Sequence, residues 1–101
     1  MSTKSVRKIL DKRLGSMSFG SFLRAARTIN DMSQVEMALF LGISKSSLCD
    51  IEKNRQYVSP QLASKIARKC GLSEALAIEL ALQELILRSG LKFEVFVRKA
   101  A

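Results

Sequence analysis

The chain has 101 residues and a mass of 11.2 kDa; 48% are hydrophobic and 26% charged, the balance of one small globular domain rather than a disordered segment. Its 17 basic and 9 acidic residues leave a net charge of +8, a surplus that suits a polyanionic partner, nucleic acid before membrane. The absence of histidine, with only Cys49 and Cys70, excludes an ordinary zinc cluster and fits a reduced cytoplasmic protein; no signal peptide opens the chain, and no apolar run nears the roughly 18 residues of a membrane span.

Residues 4–14 (KSVRKILDKRL) set Val6, Ile9, Leu10 and Leu14 on one face, with Lys4, Arg7, Lys8, Lys12 and Arg13 around the rest. That pattern predicts a basic amphipathic helix, closed by Gly15 and Ser16, which either packs on its own domain or reaches DNA as an arm. A second helix is predicted from Phe19 to Ile29, capped by Ser18, with Phe22, Leu23, Ala26 and Ile29 facing inward; Asn30 and Asp31 break it.

The stretch QVEMALFLGISKSSLCDIE, residues 34–52, reads as two short helices about a tight turn. Ser33 followed by Glu36 forms a capping box that starts a helix at Gln34, and Met37, Ala38 and Leu41 supply its buried face. Gly42 can take the left-handed conformation that ends a helix, Ile43 plugs the core beneath, and Ser44 caps the next helix, with Leu48 and Ile51 inside. A polar loop follows from Lys53 to Val58. Ser59 and Pro60 open a further helix that Gly71 closes, and Ser73 caps a last one, through about Arg88, stopped by Gly90.

That last helix carries two apolar stripes, Leu76, Leu80 and Leu87 on one side and Ile78, Leu82, Leu85 and Ile86 on another, divided by Glu79 and Gln83. One stripe faces the core and the other wants a partner. The tail LKFEVFVRK alternates, with Leu91, Phe93, Val95 and Val97 pointing one way, and predicts a C-terminal β-strand. A strand must pair, and the chain offers no second one. Its partner is the same segment of a second subunit, laid antiparallel over the last helix, or a strand of another protein; otherwise the tail stays unpaired. The chain divides accordingly into residues 1–17, 18–72 and 73–101.

The second motif helix opens with Lys45, Ser46 and Ser47, groups suited to base edges when a helix N-terminus enters a major groove. Lys45 can donate to guanine O6 or N7, Ser46 can donate or accept, and Asp50, sharing the outward face with Cys49, can accept from a cytosine amino group. Cys49 reads better as a small groove-facing residue than as an oxidant sensor, having no evident cationic partner. Arg55, in the following loop, is a phosphate candidate.

From about Phe19 to Leu72 the chain resembles the phage repressor/Cro (XRE-type) helix-turn-helix family, on LRAAR (23–27), SQVEMALFLGIS (33–44) and SSLCDIEKN (46–54). Asn54 stands where the family usually has glycine, and asparagine tolerates the same left-handed turn. The resemblance implies an all-α, lambda-repressor-like bundle of about five to six short helices. It further implies that Ser33 and Gln34 lie at a phosphate, that Arg27 and Glu52 form an ion pair between helices, and that two subunits bind half-sites one helical turn apart. Leu39 and Phe40 depart from the family, which is usually polar there; either the N-terminal helix or a partner protein covers them.

The function expected is a sequence-specific regulator, a homodimeric repressor on a double-stranded DNA operator. The alternative is an antitoxin that binds a protein toxin and represses its own operon, and the two-stranded intersubunit lid resembles that of Hip-type antitoxins. An enzyme is not expected, with no histidine, no glycine-rich phosphate loop and no paired acids, and neither cofactor nor metal is implied.

Overall fold

A computed structural model describes residues 17–101, so the amphipathic segment expected over residues 4–14 lies outside the described residues. Five helices follow in series: α1 (Phe19–Ile29), α2 (Gln34–Leu41), α3 (Lys45–Glu52), α4 (Pro60–Cys70) and α5 (Glu74–Arg88). Each begins at a serine, Ser18, Ser33, Ser44, Ser59 or Ser73, whose side chain accepts an N–H from the first turn. That bond satisfies one of the donors a helix start leaves without a partner. At Ser33 the box is reciprocal: Glu36 accepts the Ser33 N–H at 3.0 Å, and this bond holds the Glu36 carboxyl below its ordinary pKa.

One core joins all five helices. Phe19, Phe22, Leu23 and Ala26 of α1 meet Met37, Ala38 and Leu41 of α2 and Leu48 and Ile51 of α3, and Val58, Ala63, Ile66, Ala67, Ala77, Leu80 and Ala81 complete it. Gly20 makes the α1–α3 approach possible. A Cβ there would stand 2.5 Å from the Ile51 carbonyl oxygen and 2.8 Å from that of Glu52.

Three expectations need correction. Ile29, expected inside, is 75% exposed, because the last turn of α1 runs past the elements that cover Phe22 and Ala26. On α5 the core face is Ala77, Leu80 and Ala81; of the expected Leu76, Leu80 and Leu87 stripe only Leu80 is buried. The buried face of α5 joins Ala63, Ile66 and Ala67 of α4 in the core, while Leu76 and Leu87 stay exposed. Of the second stripe, Ile78, Leu82 and Ile86 are half-buried and Leu85 is exposed.

The tail is the third. Residues 91–101 form no strand, and no strand occurs among the described residues. A ladder needs a second extended segment, and the side chains of α5 take its place here. Gln83 accepts the Val95 N–H at 2.7 Å and donates to the Phe93 carbonyl at 2.8 Å, while Glu79 accepts the Val97 N–H at 2.9 Å. Glu79 is buried on the side of α5 that the tail covers, and the Val97 N–H supplies part of the bonding a buried carboxylate needs. The expected inward set splits, with Val95 and Val97 half-buried and Leu91 and Phe93 exposed.

Candidate nucleic-acid interface

The turn between α2 and α3 follows from Gly42. At φ 71° it is left-handed, so its own N–H reaches the Leu39 carbonyl at 3.2 Å and the Ile43 N–H reaches that of Ala38 at 3.0 Å. This double closure ends α2, drops Ile43 against the core, and brings Ser44 round to cap α3 at once. With Leu48 and Ile51 buried, the opposite face of α3 is fixed as its outer face.

Lys45 and Ser46 stand exposed at the first turn of α3. Ser47 is half-buried and turned aside, its hydroxyl held by the Gln56 amide at 2.8 Å. Cys49 and Asp50 are half-buried too, and Cys49 does not stand free, since its thiol donates to Gln34 Oε1 at 3.3 Å. Ser33 and Ser44 are exposed caps, and Arg55 is exposed in the loop after α3.

Beneath this surface lies a polar cluster around Glu52, whose side chain is 1% exposed. Arg27 donates from Nε to Glu52 Oε2 at 2.7 Å, from a terminal nitrogen to Oε1 at 3.2 Å, and from the other to the Met32 carbonyl at 3.2 Å. A fork of this kind matches the planar guanidinium to the planar carboxylate, and the bond to Glu52 raises the Arg27 pKa above its ordinary value. Gln34 donates to the same Oε1 at 3.3 Å, and the Arg24 guanidinium lies 3.8 Å from it. An amide nitrogen carries two hydrogens, and Gln34 spends one of them on this bond. The cluster thus ties the first turn of α2 to the last turn of α3, and so sets the angle at which α3 is presented.

Sequence reasoning missed Arg24, Gln56 and Arg88 in this region. Gln56 follows from no local pattern, because its partner Ser47 lies nine positions back across the end of α3. On the outer side of α2, Leu39 is 77% and Phe40 41% exposed, and the Lys69 ammonium sits 5.3 Å from the centre of the Phe40 ring. Burial raises the Cys70 thiol pKa, which disfavours the reactive thiolate.

Residues 23–76, just over half of the chain, match the family model described as helix-turn-helix. A solved structure, the clp gene regulator ClgR from Corynebacterium glutamicum, is similar at a TM-score of 0.54 and 25% identity. The match covers 71% of this chain and 77% of that one. No curated protein matches the chain.

Proposed function

The chain belongs to the XRE-type helix-turn-helix family, and on that premise we propose that it is a sequence-specific DNA-binding transcriptional regulator, a homodimeric repressor that reads the major groove with α3. The observation that carries this reading is the presentation of α3. Its apolar face is sealed in the core while Lys45 and Ser46 stand exposed at its capped N-terminus. The similar structure is that of a gene regulator, which agrees. In this reading Lys45 and Ser46 meet base edges, Asp50 faces a cytosine amino group, and Ser33, Gln34, Ser44 and Arg55 hold phosphates. Cys49 and Ser47 shape the surface from beside Gln34 and Gln56. The protein acts in the cytoplasm by binding, not by chemistry; no helix among the described residues is long and apolar enough to cross a membrane.

The test is a gel-shift series on a duplex selected from a random-sequence pool. Wild-type affinity is expected to fall with salt by roughly 0.9 log units per log unit for each phosphate neutralised. Lys45→Ala with Ser46→Ala removes the preference for the selected site and spares much of the nonspecific binding, whereas Gln34→Ala weakens all sequences together. A wild-type chain without sequence preference is the contrary result.

One observation favours a second reading, an antitoxin. Leu91, Phe93 and Phe96 of the tail are exposed at 47%, 67% and 42%, an apolar surface fit for a protein partner. Co-expression with the product of the neighbouring gene, followed by co-purification and rescue of growth, separates it from regulation alone.

A further inference from the structure

Arg88, in the last turn of α5, makes three contacts with its guanidinium. It donates to the backbone carbonyl of Asn54 and to Glu84 Oε1 at 2.8 Å, and its centre lies 5.0 Å from that of the Tyr57 ring. Two of these partners, Asn54 and Tyr57, belong to the loop between α3 and α4, 34 and 31 positions earlier in the chain. That loop carries Lys53 and Arg55, both exposed.

The loop needs such a hold. Asn54 is left-handed at φ 60°, which takes its carbonyl out of the α3 series, where no helical N–H follows to meet it. At its start the loop is tied back to α3 by the Arg55 N–H on the Asp50 carbonyl at 2.8 Å, and Gln56 holds Ser47. Val58 anchors its end in the core. Arg88 closes the remaining side. One terminal nitrogen of the guanidinium serves both the Asn54 carbonyl and Glu84, while the planar group lies over the Tyr57 ring, and a flat cation bonded at its edge and stacked on a ring suits arginine better than the compact ammonium of lysine. Glu84 balances its charge, so Arg88 is poorly placed to serve as a phosphate ligand itself.

We propose that Arg88 is a positioning residue for DNA: it clamps the loop after α3 in the conformation that holds Arg55 against a phosphate beside the groove. The proposal rests on the DNA-binding reading and adds a residue of the C-terminal helix to the binding machinery.

The experiment is a double-mutant cycle in the full chain, read on a wild-type-selected duplex and on a random duplex. Arg88→Gln is expected to weaken both about tenfold and to cut the salt slope by about one phosphate equivalent. Arg55→Ala should do the same, and the double variant should be no weaker than Arg55→Ala alone, because Arg88 acts through Arg55. Arg88→Lys keeps the charge and loses the planar group over Tyr57, so it should stay as weak as Arg88→Gln. In the free protein, exchange of the Arg55 amide, bonded to the Asp50 carbonyl, should rise about tenfold in both Arg88 variants while the core amides stay protected. Additive losses in the double variant, full rescue by lysine, or wild-type affinity and slope in Arg88→Gln each overturn the clamp. Should urea melts show Arg88→Gln unfolded, Tyr57→Leu takes its place in the cycle with the same expectations. A wild-type chain that binds neither duplex overturns the DNA reading instead, and faster loop exchange in the Arg88 variants then still reports the clamp.

Discussion

Glu52 is the residue on which the helix-turn-helix geometry turns. A carboxylate 1% exposed is costly to hold unless it is fully partnered, and Arg27, Gln34 and Arg24 surround it from two other helices. Such a pair adds little over well-packed apolar residues, yet breaking it from one side strands the other charge. Arg27→Met is therefore expected to cost about 3–5 kcal/mol in urea melts, with Glu52→Gln costing less, since an amide keeps part of the bonding. The double variant should cost clearly less than the sum. Losses under about 1 kcal/mol in both single variants would put the pair with ordinary surface bridges.

At the scale of the element, packing overrides propensity. In an exposed helix Gly→Ala gains up to about 1 kcal/mol. At Gly20 the added Cβ meets two backbone carbonyls of α3, and backbone cannot rotate away as a side chain can. Gly20→Ala is expected to lose about 1–3 kcal/mol by forcing α1 away from α3, read as a lower urea midpoint at unchanged slope. A gain in stability would mean that the helices separate freely there.

At the scale of the whole molecule, the described chain leaves Leu85, Leu87, Leu91, Phe93 and Phe96 exposed on its C-terminal part. Patches of this kind mark interaction surfaces. The tail spends the backbone groups of Phe93, Val95 and Val97 on α5, and our reading has a second subunit cover the apolar side chains. Deleting residues 90–101 should then give a monomer, or an aggregating dimer, with much weaker binding to a two-half-site operator, because coupling between half-sites is lost. Sedimentation showing a tight truncated dimer, with unchanged affinity in gel shifts, would place the dimer interface elsewhere.

What the amino-acid order determines by itself is whatever closes within a few residues. Serines at 18, 33, 44, 59 and 73, and glycines at 42 and 71, mark helix ends because a cap is a bond between near neighbours, and the inner faces of α2 and α3 follow from their spacing. Arg27 and Glu52, 25 positions apart, are linked in the sequence by family likeness and by no local pattern. Tertiary structure alone decided the rest. Ile29 satisfies the helical period yet lies beyond its neighbours, and on α5 Ala77 and Ala81 join Leu80 in the core while Leu76 and Leu87 stay exposed. The alternation of the tail is a real period, but a strand exists only when another strand pairs with it, and here Gln83 and Glu79 bond its backbone instead. Arg88 meets Asn54 across 34 positions. Contacts of that span depend on how the helices dock, and docking is set by the volumes of side chains on two surfaces at once, which no single segment encodes.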